Sequence, residues 1–130
     1  MSMEPMKSME DLIRQDGRYP PEAYAFLHDG LSHAAQTVHS EASPEGPRHV
    51  TGQQLCQALR DLAVQRYGLL ARTVLSRWKI HGTIDFGNMV YLLIEGGFMK
   101  KTDEDSLEDF REVYDFSEAF RPADEFELKE

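Results

Sequence analysis

The sequence predicts a mainly α protein with a single domain. A central three-helix, helix-turn-helix-like unit follows an N-terminal helix pair and precedes an acidic C-terminal segment. Three observations predict this. Apolar residues recur at i, i+3, i+4 and i+7 in successive stretches instead of alternating as in strands. A capping box at Thr51 and Gln54 opens the central unit. Glycines at 68, 82 and 96–97 then interrupt it at helix-length intervals. The organisation is a helical arm at 1–39, a loop at 40–47, the central unit at 48–102 and the tail at 103–130.

Ser8, followed by Asp11, Leu12 and Ile13, caps a short peripheral helix that stops near Gly17. Pro20 and Pro21 open a longer one, because Pro21 gives up an N–H that has no partner in a first turn. Its inward face is Tyr24, Leu27, Leu31, Ala34, Ala35 and Val38, and Gly30 within it would be justified by a close helix crossing. Ser40 to Pro47 has loop composition. The helix opened by Thr51 buries Leu55, Leu59, Leu62 and Ala63 and stops at Gly68. The next turns Leu70, Val74, Leu75 and Trp78 inward, and His81–Gly82 makes the turn after it. Thr83 or Asp85 caps the third, whose face is Phe86, Met89, Val90, Leu93 and Ile94 and which ends at Gly96–Gly97. For 98–114 the pattern fits either a short β-hairpin or a helix capped by Ser106 and carrying Leu107, Phe110 and Tyr114. Phe116, Phe120 and Phe126 are aromatic anchors along the acidic tail that would dock it onto the core.

A chain of 130 residues, 41% apolar and 28% charged, has the balance of a globular domain rather than a disordered one. No apolar run approaches the roughly 18 residues that span a bilayer, so no membrane segment is expected. The N-terminal stretch lacks the basic and apolar regions of a secretory signal, and its acids argue against a transit peptide. The single cysteine, Cys56, has no disulfide partner, and a reduced cytoplasmic setting is expected. The net charge of −9 is unevenly divided: −5 over 1–47, +5 over 48–102 and −9 over 103–130. Either the ends fold back to neutralise the middle, or Arg60, Arg66, Arg72, Arg77 and Lys79 present a partner-binding surface.

The order of elements suggests a winged helix-turn-helix, with the third helix as reader. Its outward positions would be Asp85, Asn88, Tyr91 and Glu95, with no lysine or arginine among them. The wing would carry Asp103, Glu104 and Asp105, where phosphate contact needs bases. Arg72 and Lys79 share a helical face while Arg77 points away. Asp29 and His33 share a helical face, with His28 and His39 nearby, but no HExxH or CxxC adds ligands. Asp103–Asp105 lacks the glycine and final carboxylate of an EF-hand loop. Cys56 with His49 could form a nucleophile pair, yet a half-buried cysteine packing as a small hydrophobe is commoner. No metal, cofactor or catalytic residue is assigned from the sequence.

Arg48-His49-Val50-Thr51-Gly52-Gln53, Asp85-Phe86-Gly87, Lys101-Thr102-Asp103-Glu104-Asp105 and Tyr114-Asp115-Phe116 with Phe120 together carry a resemblance. In these the chain resembles a family of uncharacterised conserved hypothetical proteins described from planctomycetes and verrucomicrobia, over most of its length after residue 45. The resemblance implies a bacterial protein and no particular activity. The expectation is a cytoplasmic, non-enzymatic interaction or adaptor protein with a protein partner. The alternative is a nucleic-acid-associated regulator with a winged-helix-like centre.

Overall fold

Local hydrogen-bonding devices set several of the helix starts and stops, and the computed structural model describes residues 8–41 (side chains through 37) and 50–120. Ser40 and Glu41, expected in the loop, are instead the last residues of a helix; the side chains of Val38 and His39, the rest of the expected loop from 42 to 47, and Phe126 lie outside what is described. The protein is mainly helical, and the described residues contain no strand. Helix α1 is Met9–Asp16: the Ser8 hydroxyl accepts from the Asp11 N–H at 3.1 Å, and Gly17 closes it at φ +75°. It buries only Ile13 fully, which makes it peripheral.

Helix α2, Pro21–Glu41, is buried on a wider face than the periodicity suggests. Ala23 and Phe26 are buried beside Tyr24 and Leu27. The Phe26 ring packs 5.5 Å from Trp78 and 6.3 Å from Tyr67, centroid to centroid. Helix α3, Gly52–Tyr67, has the expected capping box: Thr51 Oγ1 accepts from Gln54 N, and Gln54 Oε1 accepts from Thr51 N. The two helices cross at Gly30. A Cβ there would collide with the Leu59 side chain, 2.9 Å from its Cγ. Gly30→Ala is expected to lower stability by about 1–3 kcal/mol through overpacking, read as a fall in urea midpoint. An unchanged midpoint would mean the crossing is looser than this.

Gly68, at φ +55°, ends α3, but the chain does not enter the next helix directly. Gly68–Leu70 form a 3-10 turn, and α4 runs Ala71–Arg77. That corrects the inward set. Leu70 is 59% exposed and Ala71 is buried in its place, while Leu75 is buried as expected and the half-buried Trp78 completes the i, i+4, i+7 row. The 3-10 turn rotates the helix start by one residue. Lys79 then sits at φ +68° and closes α4: its N–H bonds Ser76 O at 2.9 Å, and Ile80 N–H reaches Leu75 O at 2.9 Å. This is a Schellman stop, usually glycine. Lys79→Gly is expected to raise stability by roughly 1 kcal/mol, since a left-handed residue with a Cβ is disfavoured by about 1–2 kcal/mol. A thermal melt measures it, and a fall in Tm would contradict it.

Helix α5, Thr83–Glu95, is the centre of the core, with Phe86, Met89, Val90, Leu92 and Leu93 buried. Asp85, not Thr83, caps it: its Oδ2 accepts from His81 N at 2.8 Å and Gly82 N at 3.2 Å. Gly96–Gly97 stop it as expected, with Phe98 N–H bonded to Leu93 O at 2.8 Å. The 98–114 stretch is neither the hairpin nor a full helix. It makes a 3-10 turn at Leu107–Phe110, turns at Glu112 (φ +51°) and continues into the four-residue helix α6, Phe116–Ala119. The reason is that Thr83 captures the backbone groups a longer helix would use: its Oγ1 donates to Phe110 O at 2.7 Å and accepts from Val113 N at 3.1 Å. Ser106 does not cap through its side chain; Asp109 reaches back to its N–H at 3.0 Å. Phe116 and Phe120 dock with Phe86 and Tyr114 in an aromatic cluster, and the Tyr114 hydroxyl donates to Cys56 O at 2.7 Å.

Candidate functional site

Four segments distant in sequence leave a cleft of about 420 Å³ between them. Leu31 and Ala35 of α2 form one wall, and Val50 to Gly52 with Leu55, at the start of α3, form the next. Val90, Tyr91 and Ile94 come from the C-terminal half of α5, which the capping and core packing hold in place. The chain beyond the Gly-Gly stop closes the far side with Phe98 to Lys101, and Phe110 contributes to the lining. The lining is mainly apolar, and Phe98 at its rim is 38% exposed.

The polar groups are few. The Tyr91 hydroxyl oxygen is shielded from solvent and has no hydrogen-bond partner among the described residues. Its pKa is raised, first by desolvation and then by the charges of Asp105 and Asp109, so the hydroxyl keeps its proton and can donate. Asp105 Oδ2 accepts from Thr102 N at 2.9 Å, and Asp109 is held by the Ser106 N–H. Lys101 Nζ lies 3.3 Å from Thr102 O. Neither Lys100 nor Lys101 makes an ion pair among the described residues. A shaped apolar cleft with a few convergent polar groups is the physical signature of a binding site. Sequence reasoning misses it because its walls come together only in the fold, and Tyr91 reads as a solvated position.

The five basic residues singled out from the sequence do not converge. Arg66 pairs with Asp29 of α2 at 2.9 Å, and Arg60 with its neighbour Asp61 at 3.3 Å. Arg72 lines a separate polar hollow with His81, Arg111 and Asp115. The Asp115 carboxyl lies below its usual range, mainly through hydrogen bonds from Ser117, with the Arg72 charge adding to them. Arg77 and Lys79 lie exposed at the end of α4.

The supposed reading face of α5 is partly covered. The Tyr19 hydroxyl donates to Asp85 Oδ1 at 2.6 Å, and Asn88 Nδ2 donates to Tyr19 at 3.1 Å. Burial, then the bond to Asp85, pushes the Tyr19 hydroxyl up to about 12. Only Glu95 of the four expected outward positions is exposed; Asp85, Asn88 and Tyr91 are half-buried.

Asp29 is engaged by Arg66, and His28 Nδ1 lies 3.8 Å from its other oxygen. No group of three His, Cys, Asp or Glu side chains gathers around a point among the described residues. His39 and His49 fall outside them. Cys56 is fully buried, and desolvation pushes its thiol up to about 12. At mildly alkaline pH a thiol reagent is therefore expected to label Cys56 only as fast as the protein opens, with denaturant accelerating it. Rapid labelling of the folded chain would contradict this burial.

No helix of the described residues is long and apolar enough to cross a membrane. Neither a family model, nor a curated protein, nor a solved structure matches this chain.

Proposed function

We propose that this chain is a non-enzymatic cytoplasmic interaction protein that holds a segment of a protein partner in the cleft between α2, α3 and α5. The observation that carries the reading is the cleft itself: a mainly apolar lining and a shielded Tyr91 hydroxyl with no hydrogen-bond partner among the described residues. An opening bounded by Phe98 suits a chain segment lying across it, anchored by alternate or helically spaced side chains. Burying one large apolar side chain there contributes about 1.5–3 kcal/mol, so two or three anchors suffice for a useful affinity. The resemblance to the planctomycete and verrucomicrobial family adds no activity to this reading.

The test is a photocrosslink. Phe98 is replaced by p-benzoylphenylalanine in the full chain, with the same group at exposed Glu95 as a control outside the cleft. In native-host lysate the Phe98 position is expected to crosslink one protein strongly over the control. Equal or no crosslinking from the two positions would remove the cleft as the interaction site.

The second reading, a nucleic-acid-associated regulator with a winged-helix-like centre, draws on Arg72, Arg77 and Lys79 near the α4–α5 turn. Against it stands the half-buried reading face of α5. A mobility-shift assay with RNA and DNA separates the two: neutralising these three bases should abolish any low-salt shift if the regulator reading holds.

A further inference from the structure

We propose that this chain pairs with a second copy of itself, about a two-fold axis, through the C-terminal end of α3 and the turn after it. Five large apolar side chains are exposed among the described residues, and three of them, Val64, Leu69 and Leu70, fall within 64–70, at 45%, 45% and 59% exposure. Gly68, at φ +55°, breaks α3, and the 3-10 turn that follows leaves both leucines projecting instead of tucked under α4. Beside them lies a hollow of about 460 Å³. Arg60, Val64 and Gly68 form its α3 side, Glu118, Ala119 and the buried Phe120 form its α6 side, and Leu69 also lines it. An apolar projection next to an apolar-floored hollow suits a two-fold contact. Each copy presents the same surface turned by half a rotation, so Leu70 of one fills the hollow of the other, and the reverse.

Charge selects the second copy over other occupants. The hollow lies where the central stretch, +5 over 48–102, adjoins the acidic one, −9 over 103–130. Arg60 stands on the first side and Glu118 on the second, and the two do not pair with each other. Glu118 has no ion-pair partner among the described residues. Arg60 bonds only its chain neighbour Asp61, an exposed pair at 3.3 Å that contributes little. A surface of one sign would attract one of these groups and repel the other, and a polyanion would also repel a chain of net charge −9. A copy turned about the two-fold sets its Glu118 over Arg60 and its Arg60 over Glu118, so both are matched. The cleft is built on Gly52 and Leu55 at the opposite end of α3, so association leaves it open and does not depend on its occupant.

The experiment is sedimentation velocity of the full chain from low micromolar to near-millimolar concentration. A reversible monomer–dimer equilibrium is expected, with nothing larger, because a two-fold contact closes on itself. Leu70→Glu is expected to weaken it about 100-fold or more, since symmetry counts the substitution twice. That side chain is mostly exposed, so the thermal melt of the dilute variant should match the natural chain. Met9→Glu, at another exposed apolar position on α1, should leave association unaltered. Arg60→Glu and Glu118→Arg should each weaken the dimer about tenfold or more, and the double swap should restore it, because the opposite charges then meet again across the axis. A chain that stays monomeric throughout, association indifferent to Leu70→Glu, an equal loss from Met9→Glu, or a swap no better than the single reversals would each overturn the proposal. Growth beyond dimers would overturn the two-fold geometry.

Discussion

Phe110→Ala is expected to lower folding stability by about 3–5 kcal/mol, the range for deleting a buried aromatic ring. Phe110 is 4% exposed although it belongs to the acidic C-terminal segment. Its ring fits between two glycines. A Cβ at Gly87 would lie 2.7 Å from the Phe110 Cγ, and one at Gly52 would lie 3.1 Å from Cε2. The ring therefore joins the start of α3 to the middle of α5, and its removal leaves a hole that helix backbone cannot relax to fill. Urea unfolding followed by circular dichroism measures the loss. Small domains have only about 5–15 kcal/mol in total, so the variant should be unfolded to a detectable extent under mild conditions. The converse substitution, Gly87→Ala, should be destabilising by overpacking, and combining it with Phe110→Leu should recover part of the loss because the two sites touch. A loss below 1 kcal/mol for Phe110→Ala would mean that the segment after residue 98 is attached to the core, not part of it.

That segment is also the least legible part of the sequence, for a physical reason. Local devices read well. The Thr51–Gln54 capping box, the stops at Gly17, Gly68 and Gly96–Gly97, and the crossing at Gly30 each depend on neighbours within a few residues or on a missing side chain in a periodic face. Phe110 depends on Gly52 and Gly87, which are distant in sequence and carry no side chain to advertise the contact. The 98–114 stretch is balanced between hairpin and helix because its local preferences are weak, and the Thr83 hydroxyl decides against both. Periodicity misplaces Leu70 because it assumes that a helix begins at once after Gly68, where a 3-10 turn intervenes. The charge partition is visible, but helical angles relate residues only within one helix, and Arg66 finds its partner Asp29 on another. The cleft is invisible for the same reason, since its walls come from four stretches. Periodicity within α5 alone puts Tyr91 in solvent, whereas Phe98 to Lys101, beyond Gly97, line the same cleft as its ring.

Thr83→Val is expected to be nearly as damaging as the loss of the Phe110 ring, at roughly 2–4 kcal/mol. Thr83 is 2% exposed, and its hydroxyl is both donor and acceptor. Valine keeps the shape and removes the oxygen, leaving the Phe110 carbonyl without its 2.7 Å donor and the Val113 N–H without its 3.1 Å acceptor. Each unsatisfied buried group costs about 1–3 kcal/mol, which is why a swap similar in volume is not conservative here. Thr83→Ser retains the oxygen and loses only a methyl group, so it separates hydrogen bonding from packing. Serine should remain within about 1.5 kcal/mol of the natural chain, while valine falls well below it. Amide hydrogen exchange adds a local readout: in the valine variant Val113 should lose protection before the core amides of α5 do. Equal losses for serine and valine would assign the site to packing alone. An unaltered Val113 exchange rate would show that the turn after Phe110 is held by its aromatic contacts and not by Thr83.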